Sequence, residues 1–103
     1  MRMMIKFSMP VDSANELVSS GKVGRNFQSI MEEIKPEAAY FFPENGQRSG
    51  LMVVNMTDSS DVAKMLEPFW IGLNADVTVT PVMNGEDLKK GLSGIEGIVK
   101  RYA

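Results

Sequence analysis

Residues 74–92 read NADVTVTPVMNGEDLKKGL, and the order of signals within them decides the fold. From Asp76 to Val82 apolar and polar side chains alternate, Val77 and Val79 against Thr78 and Thr80. That two-residue period belongs to a strand with one covered face. Pro81 has no N–H to extend a ladder, so the strand borders the sheet or stops there. Asn84 then stands as a helix N-cap, with Glu86 and Asp87 in the first turn and Lys100 and Arg101 in the last, all favourable to the helix dipole. Leu88, Leu92, Ile95, Val99 and Tyr102 follow on one apolar stripe. A strand that runs straight into such a helix predicts a sheet ending here. The helix is expected to turn back and cover an open end or groove with Leu88, Leu92 and Ile95.

Upstream the same two periods alternate. Residues 2–9 (RMMIKFSM) form a strand with Met3, Ile5, Phe7 and Met9 on one side, ended by Pro10. Residues 12–38 read helical, with a capping-box signature at Ser13 and Glu16 and a stripe of Leu17, Phe27, Ile30, Met31 and Ile34. Gly21 and Gly24 weaken the middle, which predicts a short helix followed by a longer one, closed by Pro36. Residues 38–42 (AAYFF) are a strand, Asn45-Gly46 is a hairpin turn, and LMVVNMT at 51–57 is the second hairpin arm. That arm is apolar on both faces, which suits a central strand. Asp58 or Ser59 caps a further helix with Val62, Met65, Leu66 and Phe69 inward, kinked or ended by Pro68.

The order is β-α-β-β-α-β plus a closing helix, the ferredoxin-like split βαβ arrangement of the α+β class. A single domain spanning 1–103 is expected, with two helices over one face of a four-stranded antiparallel sheet. Parity sorts the strands into an apolar face (Ile5, Phe7, Met52, Val54, Met56, Val77, Val79) and a mixed one. The mixed face carries Met4, Lys6, Ser8, Tyr40, Phe42, Leu51, Val53, Asn55, Thr78, Thr80 and Val82. The apolar face belongs to the helices. Exposed apolar patches of that size mark association or a ligand groove. Two-fold pairing of mixed faces in a homodimer would bury them and enclose a polar-lined cavity for a small apolar or aromatic molecule.

Composition narrows the chemistry. Cysteine and histidine are both absent, which removes disulfides, Cys-ligated metals, a thiol nucleophile, a Ser-His triad and the commonest metal ligand. No metal and no cofactor are expected. The net charge of −2, with acids and bases interspersed, offers no basic stripe for nucleic acid or anionic membrane. No run reaches the length of a signal peptide core or membrane span, so a cytoplasmic location is expected.

The segments KPEAAYF, GQRSG, MTDSSDVAKMLEPFW, NADVTVTPVM and EDLKKGL, in this order, make the chain resemble a family of small bacterial proteins similar to the dimeric α+β-barrel group. The pattern NA-x-V-x-x-x-PVM-x-x-EDL is the most specific part of that likeness. The wider group includes muconolactone isomerases, antibiotic-synthesis monooxygenases, haem-degrading enzymes and stress-response proteins. The resemblance implies the fold and the dimer. It does not carry one activity, because the group spreads many over one scaffold.

The residues able to share a cavity are Lys6, Tyr40, Asn55, Thr78 and Thr80, with Trp70 at the rim. Buried between two sheets, such polar groups need partners whether or not a ligand is present. A non-catalytic small-molecule-binding homodimer is the main reading. The alternative is a cofactor-independent isomerase or monooxygenase acting on a small, partly apolar substrate, with Lys6 as base or oxyanion stabiliser and Tyr40 as proton donor. Other motifs have plainer explanations. SSGKVGR at 19–25 lacks the glycine and hydroxyl spacing of a phosphate loop. Glu32-Glu33 and Glu86-Asp87 are adjacent helical pairs that diverge by about 100°. The scattered methionines suit gap-filling. Gly91, Gly94 and Gly97 weaken the last helix by about 3 kcal/mol relative to alanine, which predicts a helix stable only when docked.

Overall fold

A computed structural model describes residues 1–103. The chain forms β1 (Arg2–Met9), α1 (Val11–Ser19), α2 (Lys22–Ile34), β2 (Ala38–Glu44), β3 (Gln47–Asn55), α3 (Asp61–Leu73) and β4 (Asp76–Pro81). A C-terminal arm follows, built of α4 (Gly85–Gly91), a 3₁₀ turn (Leu92–Gly94) and α5 (Ile95–Tyr102). The class is α+β. The four strands lie in the order β2-β3-β1-β4, every neighbouring pair antiparallel, which is consistent with a ferredoxin-like arrangement. Pro81 does end an edge strand, and Pro43 likewise sits on the other edge, where a missing N–H breaks no inner ladder.

Register fixes the faces. Phe7 lies between Gly50 and Val77, and Ile5 between Met52 and Val79. These side chains point to the helices and join Met3, Met9, Ile30, Ile34, Leu66, Phe69 and Leu73 in one core. Phe7 is its hub, with ring centroids 5.7 Å from Phe27 and 5.3 Å from Phe69. Gly50 makes room for that hub. A Cβ there would lie 2.5 Å from the tip of the Phe7 ring and 2.8 Å from the Tyr40 carbonyl oxygen.

The first helical segment breaks at Gly21, whose φ of +77° only glycine adopts cheaply, and Gly24 is absorbed into α2. Three sequence expectations change. The Ser13–Glu16 capping box does not form: α1 begins at Val11 after Pro10, and the Ser13 hydroxyl donates instead to the Pro10 carbonyl. Helix α3 begins later than Asp58 or Ser59 and runs through Pro68 to Leu73, leaving Val62 exposed. Proline removes one ladder bond, but Phe69 and Leu73 are fully buried beyond it and hold the last turn in place. Asn74, in the left-handed conformation, then closes the helix, donating its N–H to the Trp70 carbonyl.

The third correction concerns the arm. It does not fold back over the sheet. No residue from Gly85 to Ala103 is buried, and Leu88, Leu92, Ile95, Val99 and Tyr102 are all exposed. The radius of gyration is 17.2 Å and the long dimension 59 Å, against about 13 Å for a compact chain of this length. A local lock at the arm's root explains its direction. The Asp87 N–H donates to the Asn84 side chain (2.8 Å), the Asn84 N–H donates to the Asp87 carboxylate (3.1 Å), and Arg2 on β1 holds that carboxylate at 2.9 Å. Beyond this first turn nothing in the chain competes for the stripe.

Candidate functional site

The sheet face away from the helices is open, and the register places its side chains in rows. One row crosses all four strands as Tyr40, Leu51, Lys6 and Thr78. The next is Ala38, Val53, Met4 and Thr80. Period-two alternation puts these residues here, because their neighbours Phe7, Met52 and Val79 face the core. Both parities of residues 38–42 are apolar, yet pairing resolves them: Tyr40 opposes Leu51 and Phe42 opposes Ser49, so both belong to the open face.

Polar contacts concentrate at the two ends of this face. At the hairpin end, the Lys6 ammonium donates to the Glu44 carboxylate at 2.8 Å, with both side chains more than a third exposed. Beside them the Ser8 hydroxyl donates to the Gln47 side-chain carbonyl at 2.8 Å, and Ser49 donates to Ser8 at 3.1 Å. At the opposite end Arg2 bridges Glu37 and Asp87. Hydrogen bonding and charge from Glu37, followed by the field of Asp87, make the Arg2 guanidinium still harder to deprotonate. Asn55 lies at this end too, its side-chain oxygen accepting from the Met1 backbone nitrogen at 2.9 Å. Between the ends lie Met4, Leu51 and Val53, half-buried, with Tyr40 some two-thirds exposed. The result is a hydrophobic band framed by charge.

Lys6, Tyr40 and Thr78 therefore share one row, Thr80 flanks it, and Asn55 stands at the rim. Trp70 is elsewhere, on α3 in the helix layer behind the sheet. Glu44 and Arg2, the charged partners of this face, were not among the residues the sequence singled out. Glu44 had a readable signal. Asn45 and Gly46 both have positive φ, the mark of a two-residue hairpin loop, so Glu44 and Gln47 must pair as the last rungs of the ladder. Arg2 had none, since Glu37 and Asp87 are remote in sequence. No three acidic side chains converge as a metal site would require.

A second concavity, about 680 Å³, opens on the helix side at the hairpin end. Val11, Val23, Phe27 and Phe41 line it, and Arg48 stands at its edge, donating to the Asn15 side chain at 3.0 Å. Phe41 is 58% exposed, with its ring edge-on to Phe27 at 5.4 Å. The aromatic core thus reaches the surface there.

A family model matches residues 1–96, nearly the whole chain, and is described as a domain of unknown function, DUF3303. The chain belongs to the DUF3303 family. The match to DUF3303 takes in all four strands, every residue of the open face and the arm as far as Glu96 in α5. The arm is thus largely within the family's domain. A comparison with curated proteins found no match. No helix is long and apolar enough to cross a membrane.

Proposed function

We propose that this DUF3303 protein is a homodimer that packs its open sheet faces together and holds a small, partly apolar or aromatic molecule between them. The supporting observation is the row Tyr40–Leu51–Lys6–Thr78 beside Met4 and Val53, half-buried apolar side chains set among polar groups on a face that no helix of its own chain covers. A sheet of this kind reduces its exposed apolar area by pairing. The polar residues of each row then orient whatever fills the remaining space. Lys6 is engaged by Glu44 at the rim, which suits anchoring a ligand's polar edge better than abstracting a proton. Binding without catalysis is the reading this favours, and no resident cofactor enters it.

Light scattering after gel filtration, joined to native mass spectrometry of freshly purified protein, tests the proposal. A dimer at micromolar concentration carrying a small bound mass is expected. Leu51→Glu places a charge at the centre of the band and is expected to weaken the dimer at least a hundredfold and to release the bound mass. A wild-type monomer, or a Leu51→Glu variant that dimerises unchanged, would overturn it.

A further inference from the structure

The helix-side cleft of about 680 Å³ at the hairpin end reaches into the core of the molecule. Phe7 and Met9 form part of its lining, although they are only 2% and 1% exposed. Phe27 of α2 and Phe41 of β2 contribute aromatic walls, and Arg48 of β3 stands at the edge. We infer that this cleft is a binding site for a monocyclic aromatic carboxylate, with its ring against Phe27 and Phe41 and its carboxylate on the Arg48 guanidinium.

Two independent features carry this. The first is aromatic. Phe41 shares the helix-side row with Gly50 and Phe7, and its ring stands edge-on to Phe27 at 5.4 Å and to Phe7 at 6.3 Å. It nevertheless remains 58% exposed, which leaves one side of the ring for a further partner. Aromatic rings favour edge-to-face and offset contacts, so a flat ring finds matching geometry here that an aliphatic chain does not. The second feature is charge. The chain's ion pairs join Arg2 to Glu37 and Asp87, and Lys6 to Glu44, so Arg48 has no carboxylate partner. Its side chain donates instead to the neutral Asn15 side chain at 3.0 Å, which ties it from β3 to α1 at the end of the cleft. A guanidinium presents several N–H donors in a planar fork, and that fork matches a carboxylate through two parallel bonds. The Asn15 contact leaves most of those donors free.

Spacing sets the size of the ligand. Phe41 opposes Gly50 and Pro43 opposes Arg48, so the aromatic and basic positions lie two residues apart along the hairpin, about 6.6 Å. A ring resting on Phe41 spans that gap with a carboxylate attached directly or through one carbon, whereas a long acyl chain overruns Arg48. The volume falls within the range of roughly 300–1,000 Å³ usual for small-molecule sites, and the open mouth suits a small ring better than a large one. Every lining residue belongs to one chain, and Lys6, Tyr40, Leu51 and Thr78 of the sheet-face row line no part of it. The inference therefore rests neither on the homodimer nor on the ligand proposed between the sheets.

Two-dimensional NMR titration of the full-length protein tests this with three probes. Benzoate has both ring and charge, benzamide keeps the shape without the charge, and acetate keeps the charge without the ring. Benzoate is expected to give saturable shifts at Asn15, Val23, Phe41 and Arg48, and to bind about fivefold more tightly than benzamide, the modest factor that suits an ion pair at an exposed edge. Acetate should bind more weakly than either. Arg48→Gln is expected to lower benzoate affinity to that of benzamide while leaving benzamide unchanged, and Phe41→Ala to weaken both. Circular dichroism establishes that each variant folds, and the benzoate–benzamide comparison on the unaltered chain stands without any variant. The inference is overturned by the absence of saturable shifts at these residues up to about 20 mM benzoate, by equal affinity for benzoate and benzamide, or by an Arg48→Gln protein that keeps the preference. Shifts confined to Lys6, Tyr40 and Thr78 would overturn it too, since they place benzoate on the sheet face. A Leu51→Glu protein separates the two proposals: the benzoate shifts at Phe41 and Arg48 are expected to persist there even if the sheet-face dimer is lost.

Discussion

Helix α2 and the C-terminal arm present the same pattern and meet opposite fates. In α2, Phe27, Ile30 and Ile34 recur along one side, and Ile30 and Ile34 are buried against the sheet. In the arm, Leu88, Leu92, Ile95 and Val99 make an equally regular stripe, and every one is exposed. The difference lies in the connections. Helix α2 is held between two strands of one sheet, β1 and β2, so its apolar side has to return to that sheet. The arm leaves the sheet after the edge strand β4, and the Asp87–Arg2 contact at its root directs it outward. Amphipathicity shows that a helix needs a partner. Connectivity decides whether that partner is its own chain.

The strongest challenge to this contrast is a matched pair of truncations. Ile30→Ala is expected to cost about 2–5 kcal/mol of folding stability at any protein concentration, because it opens a cavity inside the core. Ile95→Ala should leave the unfolding free energy of dilute, dissociated protein unchanged within about 0.5 kcal/mol. Urea unfolding over a hundredfold range of concentration measures both. Equal, concentration-independent losses would mean the arm packs on its own chain after all.

A smaller effect separates two glycines. A Cβ at Gly50 collides with the Phe7 ring and the Tyr40 carbonyl, so Gly50→Ala should destabilise by about 1–3 kcal/mol through overpacking. A Cβ at Gly97 meets nothing within 4 Å. Gly97→Ala should instead strengthen arm helicity by about 1 kcal/mol, seen as greater helical ellipticity without loss in melting temperature. A destabilised Gly97→Ala protein would show that another backbone approaches the arm closely.

The smallest expected effect belongs to the start of α3. The Asp61 carboxylate is held below its ordinary range by N–H donation from Thr57 and then from Asp58, and the Asp58 carboxylate by the Ser60 hydroxyl and then the Ser60 N–H. Both are lower in the folded chain than in the unfolded one. Their stabilisation is thus complete above the ordinary carboxylate pKa and disappears as the pH falls through the depressed folded values. Asp61→Asn should flatten the acid side of the urea midpoint against pH, between about pH 5 and pH 3, with its largest loss of stability near neutrality and its smallest at the acid end. An unchanged acid slope would exclude this cap as a source of pH dependence.

What the sequence by itself determined follows from local periods. Alternation placed Ile5, Phe7, Met52, Val54, Val77 and Val79 on the core face and Lys6, Tyr40, Leu51, Thr78 and Thr80 on the other, because a strand must turn successive side chains to opposite sides. Glycine at 21 and proline at 36 and 81 marked real boundaries, since backbone geometry at those residues is set by the residue itself. Tertiary structure decided whatever depended on residues far apart in sequence. Burial of Phe69 and Leu73 carried α3 past Pro68 against its local preference. Strand pairing brought Glu44 to Lys6, and sheet order brought Glu37 and Asp87 to Arg2, charge contacts for which a single sequence has no period. The direction of the arm belongs with these. Its stripe was legible, but the side on which it would find cover depended on a lock between Asp87 and a residue at the other end of the chain.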